Sequence, residues 1–220
     1  MIKALIFDMD GTIVDNMGVH TAVWLDVLAE FGVEITAAEF QATMAGMTSL
    51  ETLRKLVNPE MTDTQAAEIA RRKEEQYREQ YRAAMQPVRG LLSLLQEARR
   101  AGMSLAVATA AGNDNIDFVM NGLALWDSFD AVVGADDVER GKPHPDLFLL
   151  AAERIGVPPE HCLVFEDALT GLEAARRAGM AAVAVTTSHN IDEVAHLPQV
   201  RQVIPDFTHV TVADFLGEAG

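Results

Sequence analysis

Short apolar runs alternate along the chain with segments in which apolar residues recur at helical spacing. The apolar runs are Leu5–Phe7, Leu105–Ala108, Ala131–Val133, Leu163–Phe165 and Ala182–Val185. The helical segments are 90–101, 116–122, 145–155 and 171–178, and the glycines expected as helix C-caps are Gly102, Gly122, Gly156 and Gly179. This alternation is typical of βαβ units. We therefore predict an α/β fold with a doubly wound parallel sheet.

The segment between Val14 and Pro87 has a different pattern, with no strand-like run and many residues that favour helices. Within it, 62–85 carries charges of alternating sign at i,i+4 spacing, which is typical of a solvent-facing helix. We predict a small helical domain at 15–87, inserted after the first strand and placed over its end. The catalytic core then comprises 1–14 and 88–220.

Composition and charge exclude several classes of function. The 220 residues carry 33 acidic and 17 basic side chains, a net charge of −16, so neither nucleic acid nor an anionic membrane is an expected partner. No apolar stretch approaches the ~20 residues of a membrane span, and we expect a cytoplasmic protein. The single cysteine, Cys162, is expected to be a buried small hydrophobic residue. Oligomeric state is left open, with a monomer favoured.

Polar residues suited to phosphoryl transfer follow four of the predicted strands. They are Asp8 and Asp10 after the first strand, Thr109 after the second, Lys142 in the loop after the third, and Glu166 and Asp167 after the fourth. Because the carboxyl ends of parallel strands meet at one edge of a sheet, we expect these side chains to lie together. The set supplies a carboxylate nucleophile, an acid/base, a hydroxyl, an ammonium and further carboxylates for a cation.

The two aspartates of the first strand divide the chemistry between them. Asp8 is the predicted nucleophile, because a carboxylate that attacks phosphorus forms a labile acyl phosphate. Asp10 is the predicted general acid/base, which protonates the leaving oxygen and later takes a proton from water. We expect Mg²⁺ as cofactor, held by Asp8, the backbone carbonyl of Asp10 and Asp167.

The remaining polar groups serve the phosphate. Lys142 supplies a positive charge, while the Thr109 hydroxyl and the Ala110 amide supply hydrogen-bond donors. Gly11 allows the backbone to approach the substrate closely. Glu166 is either a water-mediated metal ligand or a partner that orients Lys142, and we place it outside the direct ligands.

These residues resemble the motifs of the haloacid dehalogenase superfamily over nearly the whole chain. The four motifs stand here as Phe7-Asp8-Met9-Asp10-Gly11-Thr12, Val107-Ala108-Thr109, Gly141-Lys142-Pro143 and Phe165-Glu166-Asp167. The resemblance implies a Rossmann-like core, a helical cap inserted after the first motif, Mg²⁺, and an aspartyl-phosphate intermediate. It points to the subgroup of β-phosphoglucomutase and sugar-phosphate phosphatases. The dehalogenases and phosphonate-cleaving relatives lack an acid at the position of Asp10, which leaves a phosphatase or a phosphomutase.

The same resemblance implies substrate-binding residues in the cap, namely His20, Trp24 and Lys73, together with Gly46 and Ser49 of the segment Gly46-Met47-Thr48-Ser49. The alternatives are a helix-surface or packed histidine at position 20 and a solvated charge for Lys73. Ser49 stands where the mutases have an arginine that grips a second phosphate. We therefore favour a phosphatase acting on a small phosphorylated metabolite, above all a sugar phosphate. A β-phosphoglucomutase-type mutase is the alternative, and the complete motif set disfavours a regulatory binding protein without turnover.

Overall fold

In the computed structural model, which describes residues 1–44 and 47–216, the chain divides into two units. The first unit comprises Met1–Asp15 and Met85–Gly220, and the second comprises Asn16–Ala84. These boundaries fall near those expected from the sequence, and the division into a catalytic domain and a cap domain stays a prediction.

A parallel sheet forms the centre of the first unit. Its strands within the described chain are β1 (Ala4–Phe7), β2 (Ser104–Ala108), β3 (Ala131–Val133), β4 (Cys162–Glu166), β5 (Ala181–Val185) and β6 (Val200–Ile204). Neighbouring strands pair in parallel in the order β3-β2-β1-β4-β5-β6. The order reverses between β1 and β4, which is where open parallel sheets bind ligands. The predicted doubly wound α/β fold is confirmed.

The apolar runs form these strands because both faces of the sheet are buried. Along β1, Ala4 and Ile6 lie in a core cluster with Phe148. On the same strand, the ring of Phe7 stacks on Phe165 of β4, with 4.7 Å between the ring centroids. Alternate residues thus fill two cores, and the strands need no polar face.

β6 is missing from the predicted strands. It begins with Val200 and ends with Ile204, but Arg201 is exposed and Gln202 is half-buried. The strand lies at the edge of the sheet and pairs only with β5. Because this edge strand is only partly buried, its sequence tolerates polar residues and lacks the continuous apolar run of the central strands.

Helices alternate with these strands along the chain, and helices also form the second unit. Those of the second unit are α1 (Met17–Glu30), α2 (Ala37–Met44), α3 (Ser49–Leu56) and α4 (Asp63–Tyr81). Those of the first unit are α5 (Leu91–Arg100), α6 (Asn113–Gly122), α7 (Asp146–Arg154), α8 (Leu169–Arg177), α9 (Ile191–Val194) and α10 (Ala213–Leu216). Short 3₁₀ turns lie at Trp126–Ser128, Ala135–Asp137 and Pro159–His161. The predicted helices of the sheet unit therefore form, with ends shifted by a few residues.

Three of the four predicted glycine caps have the expected left-handed backbone. Gly102, Gly156 and Gly179 follow α5, α7 and α8 with positive φ angles. The prediction for Gly122 is wrong, because Gly122 is the last residue of α6. Ala124 instead adopts the left-handed conformation, with φ of 53°.

Two helices of the second unit, α3 and α4, begin with side-chain caps. The Thr48 hydroxyl accepts a hydrogen bond from the Glu51 amide at the start of α3, and Thr62 does the same for Gln65 at the start of α4. The prediction that 62–85 is solvent-facing is wrong for one side of α4. Ala66, Lys73, Tyr77 and Tyr81 are buried there.

Candidate active site

The ends of β1, β2 and β4 bring the predicted catalytic side chains to one edge of the sheet. Asp8 directly follows β1, Thr109 directly follows β2, and Glu166 is the last residue of β4. β1 lies between β2 and β4, with Phe7 in register with both Val107 and Phe165. Asp8 is one residue beyond Phe7, and Asp167 is one residue beyond the end of β4. Both are buried, with exposed fractions of 5% and 3%.

Lys142 joins the carboxylates of two strands. Its Nζ donates hydrogen bonds to Asp8 Oδ1 at 2.5 Å and to Glu166 Oε2 at 2.7 Å, and its side chain is 7% exposed. A bidentate ion pair joins the residues on either side of Lys142, since Arg140 donates to both carboxylate oxygens of Asp146 at 2.9 Å. The direct contact of Glu166 with Lys142 favours the orienting role for Glu166.

The acidic residues of this edge suit a divalent cation. Carboxylate oxygens of Asp8, Glu166 and Asp167 lie within 4.8 Å of one another. Hard oxygen ligands of this kind are the donors that Mg²⁺ takes from proteins. Three buried carboxylates beside one ammonium also leave excess negative charge, which is costly away from water. The described residues therefore fit a bound Mg²⁺.

Burial and mutual repulsion shift the protonation of this cluster. Burial, opposed by Lys142, raises the pKa of Asp8 above its usual value. Burial and the negative charge of Asp8 raise the pKa of Glu166 to about 8 and that of Asp167 to about 7. Burial alone would lower the pKa of Lys142, but the charges of Asp8 and Glu166 raise it above its usual range. The ammonium is therefore retained, and the carboxylates favour a cation.

The turn after β1 contains Asp10 and Gly11, whose backbone is predicted to belong to the site. Asp10 is half-buried there and is followed by Gly11, which has φ of +82°. A Cβ at Gly11 would lie 2.1 Å from Asp167 Oδ2, so only glycine allows this turn to approach the Asp167 carboxylate. Thr12 Oγ1 also donates to Asp167 Oδ1, at a long 3.4 Å.

Thr109 and Ala110 lie at the adjacent strand end. Thr109 is buried, its amide donates to the Val133 carbonyl at 3.0 Å, and its hydroxyl oxygen accepts from the Ala111 amide at 3.1 Å. Ala110, the next residue, is exposed. The structure thus places both residues at the edge expected from the sequence.

Two residues of the loop after β5 join the site without having been predicted. Thr187 Oγ1 donates a hydrogen bond to the Gly11 carbonyl, and Ser188 Oγ donates one to Asp167 Oδ2. Both residues follow a strand that the apolar pattern identifies. Applying the strand-end argument to β5 would have found them.

The candidate residues of the second unit form a cluster of their own. Lys73 Nζ lies 2.7 Å from His20 Nδ1 and donates to Glu74 Oε1 at 2.8 Å. The His20 ring stacks on Tyr77 at 3.8 Å between centroids, and Lys73 Nζ lies 5.7 Å from the centroid of the Trp24 ring. Lys73 is 3% exposed, so it is not the solvated charge that was the alternative.

His20 is held neutral in this cluster. Burial and the positive charge of Lys73 lower the pKa of His20 to about 3. Its Nε2 is buried and has no hydrogen-bond partner among the described residues. Ser49 is half-buried as the first residue of α3. Gly46 lies outside the described residues.

Comparison with known proteins identifies the family. Residues 5–185 match the sequence profile of the haloacid dehalogenase-like hydrolases. The chain belongs to this family. Fructose-1-phosphate phosphatase YqaB of Escherichia coli (strain K12) is 38% identical over 185 residues, which cover 82% of this chain and 95% of that protein.

Solved structures of haloacid dehalogenase-like proteins share the fold. A family IA, variant 3 hydrolase from Entamoeba histolytica HM-1:IMSS superposes with a TM-score of 0.91 at 24% identity and covers 97% of both chains. The β-phosphoglucomutase of Clostridium difficile has a TM-score of 0.83 at 24% identity and covers 98% of this chain and 96% of that chain. These structures confirm the fold expected from the resemblance.

Membership of the haloacid dehalogenase-like family confirms the resemblance read from the four motifs, and with it the prediction of a hydrolase. Cys162 is buried as expected, and burial raises the pKa of its thiol to about 12. None of the helices within residues 1–44 and 47–216 has the length and hydrophobicity needed to cross a membrane.

Proposed function

We propose that this chain is a Mg²⁺-dependent phosphatase that hydrolyses a small phosphomonoester through an aspartyl phosphate on Asp8. The observation that carries this proposal is the position of Lys142, whose Nζ lies within 2.7 Å of both Asp8 and Glu166 beside the Asp167 carboxylate. This arrangement combines a buried nucleophile, a fixed positive charge and a set of cation ligands. Phosphoryl transfer onto a carboxylate needs all three.

The chain's own groups account for both halves of the reaction. A carboxylate oxygen of Asp8 attacks phosphorus, and the bond from phosphorus to the ester oxygen breaks. Asp10 gives its proton to that leaving oxygen, so that an alcohol departs. Asp10 then takes a proton from water, whose oxygen attacks phosphorus. The bond from phosphorus to Asp8 breaks, which releases inorganic phosphate and restores both carboxyl groups.

Positive charge lets an anionic nucleophile meet an anionic substrate. Lys142 orients Asp8 through its hydrogen bond and faces the phosphoryl oxygens with an ammonium. Asp8, Asp167 and the Asp10 carbonyl would hold Mg²⁺, with Glu166 fixing Lys142. Bound there, Mg²⁺ supplies further charge neutralisation for the transferred phosphoryl group. Thr109 and the Ala110 amide supply hydrogen-bond donors at the neighbouring strand end.

We further propose a sugar phosphate as the substrate class. The relative YqaB is named as a fructose-1-phosphate phosphatase and matches 82% of this chain. The second unit also carries polar side chains suited to hydroxyl groups, with the Lys73 ammonium and the neutral His20 imidazole side by side. We propose these two residues, with Trp24 and the Gly46–Ser49 segment, as determinants of substrate preference.

A phosphate-release screen tests this function. Purified protein with Mg²⁺ is assayed against fructose 1-phosphate, other sugar phosphates, pyrophosphate and p-nitrophenyl phosphate. We expect steady release of phosphate from at least one sugar phosphate, and none in EDTA. Absence of release from every ester at saturating Mg²⁺ would refute the proposed function.

A phosphomutase remains the second candidate because the β-phosphoglucomutase fold matches this chain with a TM-score of 0.83. Ser49 carries no guanidinium to grip a second phosphate, so we expect water to outcompete a sugar hydroxyl at the aspartyl phosphate. The assay follows β-glucose 1-phosphate by both phosphate release and glucose 6-phosphate formation. Faster isomerisation than hydrolysis would identify a mutase instead.

A further inference from the structure

The loop after β5 contacts two separate parts of the candidate metal site. Ser188 Oγ donates a hydrogen bond to Asp167 Oδ2, and Thr187 Oγ1 donates one to the Gly11 carbonyl. We propose that Ser188 is a positioning residue for Mg²⁺, because it holds the Asp167 carboxylate in the orientation in which it can bind the ion. This inference rests on the magnesium-dependent function proposed above.

The strand order gives these contacts their significance. β4 lies between β5 and β1, so the loop after β5 must pass the end of β4 to reach Gly11 after β1. Its two adjacent hydroxyls then bind one group from each strand end. The Gly11 carbonyl is also one peptide away from the Asp10 carbonyl, which is a proposed ligand. The loop therefore fixes a carboxylate and the neighbouring backbone together.

Asp167 needs such a partner because its neighbours repel it. Its carboxylate is buried within 4.8 Å of the acidic oxygens of Asp8 and Glu166. The hydrogen bonds of Lys142 go to those two residues. Thr12 reaches Asp167 Oδ1 only at 3.4 Å, which is long for a hydroxyl donor. Ser188 thus makes the closer of these two side-chain contacts, and a carboxylate, which has about four lone-pair sites, retains acceptor capacity for a cation beside them.

Calorimetric titration of Mg²⁺ into the full chain without substrate tests the inference. The variants are Ser188→Ala, Ser188→Thr and Ser188→Val, and the last two differ from each other only in the hydroxyl. The matched control is Thr186→Val, since Thr186 lies in the same loop but donates its hydroxyl to the Ile204 carbonyl at 3.3 Å.

We expect Ser188→Ala and Ser188→Val to weaken Mg²⁺ binding by roughly 10- to 100-fold. Ser188→Thr should bind more tightly than Ser188→Val, and Thr186→Val should match the wild type. Raising Mg²⁺ should restore the phosphate-release rate of Ser188→Ala, which a merely misfolded site would not show.

Equal Mg²⁺ affinity of the Thr and Val variants, or an unchanged affinity of Ser188→Ala, would overturn the role of Ser188 and leave the proposed function intact. A wild-type protein that binds no Mg²⁺ and releases phosphate in EDTA would overturn the magnesium-dependent function and this inference together. The comparison of Ser188→Thr with Ser188→Val tests the role of Ser188 even if Ser188→Ala fails to fold.

Discussion

At the scale of single residues, an imbalance of charge defines the site. The buried acids Asp8, Glu166 and Asp167 share the ammonium of Lys142, whose side chain is 7% exposed. An isolated buried charge is unfavourable, and one cation compensates only part of the cluster. This arrangement is a poor way to stabilise a fold, and it suits the cation and the anionic substrate that we propose.

Replacement of the nucleophile gives the first prediction. Asp8→Asn should lower turnover by on the order of 10³-fold or more, because an amide oxygen cannot form the acyl phosphate. The thermal midpoint of the metal-free variant should not fall, since one buried negative charge is removed. The surface variant Asp63→Asn, at a side chain 84% exposed, is the control. Retention of a tenth of the wild-type rate would exclude a covalent mechanism at Asp8.

His20 gives a prediction about pH. In the folded protein the pKa of His20 is about 3, whereas an ordinary histidine has a pKa near 6.5. Between these values the unfolded chain binds more protons, so the free energy of unfolding falls as the pH falls. We expect a loss of about 1–2 kcal/mol between pH 7 and 5 that His20→Gln removes.

Urea unfolding at several pH values measures this effect. The control is His196→Gln, which removes an exposed imidazole from the first unit. If the curves of stability against pH for the wild type and His20→Gln run parallel, His20 does not occupy the buried environment described above.

At the scale of elements, the approach of α8 to β4 depends on one glycine. A Cβ at Gly171 of α8 would lie 2.0 Å from the carboxyl carbon of Glu166. We expect Gly171→Ala to displace Glu166 from Lys142, to cost about 1–3 kcal/mol of folding stability and to lower phosphatase activity at least tenfold.

The matched control lies on α1, where a Cβ at Gly18 meets nothing within 4 Å. Gly18→Ala should raise stability by up to about 1 kcal/mol through helix propensity, with activity unchanged. Urea unfolding and phosphate release measure both variants. Equal effects of the two substitutions would show that α8 does not need a glycine beside Glu166.

Local patterns predicted the elements that are buried on both sides. β1 and β4 are continuous apolar runs because helices and side chains cover both of their faces. β6 escaped prediction because an edge strand tolerates Arg201 and Gln202. The buried side of α4 also escaped, since Lys73 is charged and its burial depends on contacts with His20 and Trp24.

The features of the candidate site were likewise predictable from the sequence only in part. Asp8, Thr109 and Asp167 were predictable because each stands directly after a strand of a parallel sheet. Ser188 follows β5 and could have been found in the same way, but its contact with Asp167 was not predictable, because that contact depends on the path by which the β5 loop passes β4. Sequence periodicity encodes where a strand ends, whereas the return of a loop across the sheet is a tertiary property.

At the scale of the whole molecule, a net charge of −16 means that any salt screens self-repulsion and stabilises the fold. A specific Mg²⁺ site should add to this. At 100 times its dissociation constant, Mg²⁺ should stabilise the wild type by about 2.7 kcal/mol. The measurement is the thermal midpoint in MgCl₂ against NaCl of equal ionic strength. Asp167→Asn should lose the difference, and an equal effect of both salts on the wild type would argue against a site.

The proposed aspartyl phosphate on Asp8 is tested most directly by locating the phosphoryl group on the enzyme during turnover. The protein is mixed with Mg²⁺ and the sugar phosphate it hydrolyses fastest, quenched in acid, and mapped by peptide mass spectrometry. We expect one phosphoryl group on Asp8, absent in Asp8→Asn and removed by hydroxylamine as an acyl phosphate is. Phosphate release with no labelled Asp8, or with the label on another residue, would contradict the proposed mechanism.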